Sequence, residues 1–154
     1  MAFSPARFIA SFCGTGFAPR APGTVGSLAA LILGVPLLGQ WIWMALAVLV
    51  VTFVGYRATQ LASGGEDHGW IVIDEVAGMW IAMFPLAPLP LAGLRWADGL
   101  WLALAFVLFR LFDITKPGPV GWFDRRHDAL GIMGDDVVAG LMAAAILAGI
   151  RYLA

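Results

Sequence analysis

Four stretches of the chain carry no charge at all: Ser27–Tyr56, Val76–Leu94, Gly99–Phe109 and Val137–Ile150. A helix that crosses a bilayer needs about 20 apolar residues, with a range of roughly 17–25. The first stretch is too long for one such helix, and Pro36, Gly39 and Gln40 interrupt it, a combination that marks a break. The pattern predicts a short helix over Thr24–Leu38 and a longer one over Trp41–Ala62. A third is expected over Ile71–Leu86, closed by Pro85, Pro88 and Pro90. The fourth, over Ala97–Phe112, should stop before Lys116–Pro117, because the residue preceding a proline disfavours helix. A fifth should start at Asp135 and run to the end. The expected fold is all-α, a small polytopic membrane bundle of four to five hydrophobic helices, forming a single domain over residues 1–154.

Composition supports the membrane reading. The chain has 154 residues, 61% of them hydrophobic and 12% charged, with a mean hydropathy of +0.88. Soluble domains carry about 25% charged and about 45–50% apolar residues. Net charge is −1, which gives no reason to expect a nucleic-acid partner. One cysteine, Cys13, excludes an internal disulfide framework. The apolar N-terminus "MAFSPARFIASFCGTG" lacks a long apolar core followed by a cleavage pattern, so no signal peptide is expected. Seven tryptophans suit rings at the membrane–water boundary, and suit plain core packing equally.

Charge then orients the bundle. If the five helices alternate in direction, Arg7, Arg20, Arg57, Arg110, Lys116, Arg125 and Arg126 fall on one face, against Arg95 and Arg151 on the other. That bias places the charged face on the cytoplasmic side.

Acids collect at the same helix ends: Asp74 and Glu75 in "IVIDEVAGMW", Asp113 in "FDITKP", Asp135 and Asp136 in "GIMGDDVVAG". Burying an ionised carboxylate costs several kcal/mol unless it is paired or bound to metal. Each pair alone could simply cap its helix and favour the positive end of the helix dipole. Three acidic clusters meeting on one face repel one another and call for a cation; a hard divalent ion, Mg²⁺ foremost, suits oxygen ligands. Lys116 and Arg110 beside Asp113 could hold a phosphate oxygen or snorkel toward headgroups, and snorkelling is the preferred reading for Arg125 and Arg126. Asp124 could join the acids or pair with those arginines. His68 could support the acids or be an interfacial polar residue, whereas His127 reads as a surface residue. The glycine-rich "CGTGFAPRAPGTVGSLAAL" offers backbone amides, with Thr24 and Ser27 at a helix start, for phosphate binding; a simple turn with a threonine cap fits it too. No protein nucleophile stands out, which leaves metal-assisted attack of water on phosphorus.

"GTG…APGTVGSLAAL", "DHGWIVIDEVAGMW", "FRLFDITKPGPVGWFD" and "GIMGDDVVAG", in that order, resemble the phosphatidylglycerophosphatase A family over nearly the whole chain. The resemblance implies a Mg²⁺-dependent phosphatase of the bacterial cytoplasmic membrane. It would convert phosphatidylglycerophosphate to phosphatidylglycerol and phosphate, with its active site facing the cytoplasm. Carried over, the acidic positions are Asp74, Glu75, Asp113, Asp135 and Asp136, with Lys116 and the Pro22–Ser27 loop beside them. The expected metal ligands are these five acids, with Asp74 or Glu75 as base and Thr24, Ser27, Arg110 and Lys116 on phosphate. The rival reading is a small cation transporter lined by the same acids. It wants them spread through the membrane depth, whereas the sequence sets them at helix ends. The spaced aspartate motif of CDP-alcohol phosphotransferases is absent.

Overall fold

The computed structural model describes residues 4–153 apart from 65, 90, 91 and 93. Seven α-helices run in the order α1 (Pro5–Ala10), α2 (Pro22–Gly34), α3 (Trp41–Ser63), α4 (Ile73–Met83), α5 (Trp96–Thr115), α6 (Pro119–Asp124) and α7 (Ala129–Leu153). Short 3-10 turns at Thr15–Phe17, Val35–Leu37 and Phe84–Leu86 extend or join them. No strand occurs among the described residues. Pro90, expected to help close the third helix, lies outside them.

Among the described residues two helices are long and apolar enough to cross a bilayer, α3 with 23 residues and α7 with 25. At a rise of about 1.5 Å per residue, each exceeds the roughly 30 Å hydrocarbon core. Helix α3 buries only Met44, Gly55, Ala58 and Thr59, and leaves Trp41, Trp43, Leu49, Val50 and Phe53 exposed. A continuous apolar surface of that kind is tolerated where lipid, not water, is the solvent. The remaining elements are shorter or carry more charge; α4 has eleven residues.

Helix α4 is the centre of the bundle. Nine of its side chains or backbone positions are buried, from Ile73 to Met83, and it packs against α2, α3, α5 and α7. The indole Nε1 of Trp80 fixes it to α2 by donating to the Ala30 carbonyl at 2.8 Å. Against α7 the approach is closer still, because glycine faces glycine. A Cβ added at Gly140 would fall on the carbonyl of Gly78, and one added at Gly78 would lie 2.6 Å from the Asp136 carbonyl oxygen. Residues three and four apart share a helix face, so the crossing sets Glu75 and Asp136, one turn away, against each other. Gly140→Ala should therefore cost about 1–3 kcal/mol through overpacking, read as a lower thermal midpoint in detergent micelles.

The last helix begins earlier than the sequence suggests. Asp128 caps it, its Oδ1 accepting from the Gly131 amide at 2.7 Å, so α7 starts at Ala129. Asp135 and Asp136 then lie in its second turn and are not its N-cap. Helix α5 also runs three residues past the expected Phe112. It is ended by Lys116, whose left-handed backbone (φ 47°) lets its amide donate to the Phe112 carbonyl at 2.9 Å.

Candidate active site

The N-termini of α2, α4 and α7 and the C-terminus of α5 meet around one cavity of about 270 Å³. Its walls carry Asp74 and Glu75 from α4, Asp113 and Lys116 from the end of α5, Asp135 and Asp136 from α7, and Pro22 and Gly23 from the start of α2. All five acids expected from the sequence thus face one space. Two more join them, Asp67 from the α3–α4 loop and Asp124 at the end of α6.

Within this set, Glu75, Asp113 and Asp136 each offer an oxygen lying within 4.8 Å of the other two. All three are buried, Asp136 to 2% exposure. Asp74 and Asp135 line the same cavity but stand outside that trio. The Oδ1 of Asp74 accepts from the following Glu75 amide at 3.0 Å, and Asp135 accepts from Lys116 Nζ at 2.5 Å.

The cations are committed to these acids. One Arg110 nitrogen, Nη1, donates to both Glu75 oxygens at 2.8 Å and to Asp113 Oδ2 at 2.5 Å. Its Nη2 reaches Thr24 Oγ1 at 3.3 Å. Ser27, fully buried, donates to Glu75 Oε2 at 2.5 Å. Lys116 Nζ lies 3.1 Å from Asp113 Oδ1 and 3.4 Å from Asp124 Oδ1 in addition to Asp135. Burial opposes the Lys116 charge. The hydrogen bond and charge of Asp135, with the charges of Asp113 and Asp136, outweigh it, so its pKa rises above the ordinary lysine value. A lysine in left-handed backbone costs about 1–2 kcal/mol, and three carboxylates within reach of Nζ offset that strain.

Of the four residues expected on phosphate, Lys116 alone lines the cavity. Thr24, Ser27 and Arg110 form a layer behind it: Arg110 grips Glu75 and Asp113, Ser27 grips Glu75, and Thr24 accepts from Arg110. The loop's own contribution to the wall is Pro22 and Gly23. A Cβ on Gly23 would collide with Glu75 Oε1, so glycine is what lets that carboxylate settle against the start of α2.

The other charged and aromatic candidates also resolve. Asp124 pairs with Lys116, while Arg126 pairs with Asp128 at 2.9 Å and stands 5.7 Å over the Trp122 ring. His68 stacks on Trp70, their ring centres 5.8 Å apart, and approaches Glu66 at 4.0 Å. Asp67 went unrecognised in the sequence although it lies in the quoted "DHGW". An exposed loop acid has no apolar neighbours to mark it.

Seven carboxylates (Asp67, Asp74, Glu75, Asp113, Asp124, Asp135 and Asp136) thus line one small space, answered by Lys116 in its wall and Arg110 behind it. The imbalance fits a divalent cation, and the donors are hard oxygens. The fold and cavity define a membrane-associated, all-helical protein with an acidic, cation-demanding centre at one end of its helices.

Comparison with known proteins gives the family. The family model for phosphatidylglycerophosphatase A matches residues 8–151. Phosphatidylglycerophosphatase A of Escherichia coli (strain K12) is 40% identical over 153 residues, covering 94% of this chain and 82% of that relative. The protein of the same name from Haemophilus influenzae is 40% identical over 155 residues, 97% of this chain and 90% of its own. A Bacteroides thetaiotaomicron protein, provisionally described as a phosphatidylinositol-3-phosphatase, is 38% identical over 149 residues, 91% of this chain and 89% of its own. No solved structure matches. The chain belongs to the phosphatidylglycerophosphatase A family.

Proposed function

We propose that this chain is a single-domain, multi-pass phosphatase of the bacterial cytoplasmic membrane, with its cavity facing the cytoplasm. Its substrate is the terminal phosphomonoester of phosphatidylglycerophosphate, and its products are phosphatidylglycerol and inorganic phosphate. The observation that carries this reading is the convergence of Glu75, Asp113 and Asp136 with Lys116 around one cavity in a chain of this family. Orientation is supported by the arginines Arg7, Arg20, Arg57, Arg125 and Arg126, which the sequence groups with the cavity-forming helix ends.

Glu75, Asp113 and Asp136 are the residues that would hold Mg²⁺, with Asp135 and Asp74 beside them. When bound, the ion would supply positive charge to offset that of the phosphomonoester. Arg110, itself bonded to Thr24, and Ser27 hold Glu75 and Asp113 in place, so these side chains need little rearrangement when substrate arrives. Lys116 presents its ammonium to the phosphoryl oxygens from the cavity wall. Asp74 is the better placed of the two expected bases, because Glu75 is already tied to Arg110 and Ser27. With Asp74 Oδ1 taken by a backbone amide, Oδ2 takes the proton from the attacking water. The water oxygen bonds to phosphorus as the bond to the glycerol oxygen breaks, and the proton returns to that oxygen.

The test is phosphate release from phosphatidylglycerophosphate in mixed micelles, with Mg²⁺ and with a chelator, using phosphatidylinositol-3-phosphate as the comparison lipid. Mg²⁺-dependent release from the first lipid, well above the second, is the expected result. Preference for the inositol lipid would overturn the substrate assignment, and equal release in chelator would overturn the metal.

A further inference from the structure

A trough lies between α3 and α7, over α4, on the opposite face of α7 from the acids. Its upper part, about 590 Å³, is lined by Thr52 and Tyr56 of α3, Phe123 of α6, and Leu130, Met133 and Val138 of α7 among others. Its lower part continues toward Pro85 and Ala148, and the two share Val48, Leu49 and Ile81. On α7 the trough takes positions 130, 133, 134, 137, 138, 141, 144, 145 and 148, one face of the helix. Ile132, Asp135 and Asp136 take the other.

A third, small depression adjoins the acidic cavity at the α6–α7 turn, on the side toward the head of this trough. Asp67, Asp124, Ile132 and Asp135 line both the acidic cavity and the depression, which adds Arg126, His127 and Gly131. Phe123 and Leu130, each next in sequence to one of its residues, begin the trough. From the cavity to the depression to the trough, the lining changes from acids, through Arg126 and His127 set among Asp67, Asp124 and Asp135, to mostly apolar side chains with Thr52 and Tyr56 among them. A phospholipid bearing a terminal phosphomonoester presents the same order: monoester, then phosphodiester, then acyl chain. The upper trough, from Leu130 to Val138, spans about 12 Å at a helical rise of about 1.5 Å per residue. One leaflet of the hydrocarbon core is roughly 15 Å deep.

We infer that the upper trough holds one acyl chain of the lipid whose phosphomonoester occupies the acidic cavity, with the phosphodiester crossing beside Arg126 and His127. The inference rests on the phosphatase reading. It makes chain length a determinant of turnover: a lipid with a long acyl chain gains contacts along α3 and α7 that a short one cannot make.

The experiment compares kcat/KM for long-chain and short-chain phosphatidylglycerophosphate in detergent micelles, in wild type, Thr52→Trp and Val138→Trp, which fill the trough. Val107→Trp, on the exposed side of α5, serves as control. The long-chain to short-chain ratio should fall about tenfold in the two trough variants, mainly through KM, and stay within about twofold of wild type in Val107→Trp. An unchanged ratio in both trough variants, whether or not overall activity drops, overturns the inference. So does a trough variant whose detergent-solubilised particle falls to half the mass, which would give the surface to a second copy of the chain. Wild type that releases phosphate from neither lipid would strike at the phosphatase reading itself, and the trough assignment would fall with it.

Discussion

Asp136→Asn is expected to lower divalent-dependent phosphate release by about a hundredfold or more, while leaving the fold intact. The substitution keeps the shape of the side chain and turns one of the three carboxylates that could share an ion into a neutral amide. Its effect on stability should have the opposite sign. Asp136 is 2% exposed and faces Glu75 and Asp113, so without a cation three carboxylates repel one another in a medium that screens them poorly. In chelator the variant should melt higher than wild type. With Mg²⁺ present the wild type should regain its lead, because binding to the folded state alone stabilises it by mass action. Thermal unfolding in detergent, with and without the ion, reads both halves. Full activity in the variant would remove Asp136 from the centre, and a variant that melts lower in chelator would show that the charge was already neutralised by protein groups.

The second large effect belongs to Arg110→Met. This side chain is 15% exposed and bridges Glu75 on α4 to Asp113 on its own helix, with Thr24 behind it. Removing one partner of a buried ion pair costs about 3–5 kcal/mol, because the charge left behind has no counterpart. Here two carboxylates lose theirs, while residual solvent access points to the lower end of that range. Adding Glu75→Gln to Arg110→Met should restore part of the loss, whereas Glu75→Gln alone should destabilise. A double-mutant cycle with strong coupling is the expected outcome. Simple additivity would mean that Arg110 acts through packing of its stem. Phosphate release should fall in Arg110→Met even where the protein is still folded, since Glu75 and Asp113 would no longer be held at the ion.

Much of the helical layout was legible in the chain. The long apolar run after Gln40 predicted α3 to within one residue of its observed end, because nothing polar competes with helix there. The stop of α5 before Lys116–Pro117 was read correctly, although its last three residues were missed, and the start of α7 was placed too late; the residues that set both boundaries act through local backbone geometry. Lys116 in left-handed conformation ends α5, and Asp128 caps α7; hydropathy reports neither. Helices α1 and α6, six residues each, are too short to leave a periodic signature.

The acids themselves were legible because a carboxylate amid apolar residues is conspicuous. Their convergence on one space was legible too, but which three come closest together was not. Asp74, Asp113 and Asp135 looked as suitable to share an ion as Glu75, Asp113 and Asp136 do, and only the helix rotations distinguish the two sets. Arg110 and Ser27 likewise read as groups for phosphate. Their commitment to Glu75, 35 and 48 residues away in sequence, depends on tertiary contact alone.

The Gly78–Gly140 contact has one further consequence. Bilayers differ in thickness, and helices answer by tilting. Two helices whose main chains touch have no compressible side-chain layer between them, so they must lean as one piece. The spacing of Glu75 and Asp136 would then stay constant from one lipid mixture to the next, and the adjustment would fall to α3, most of whose surface the rest of the bundle leaves uncovered.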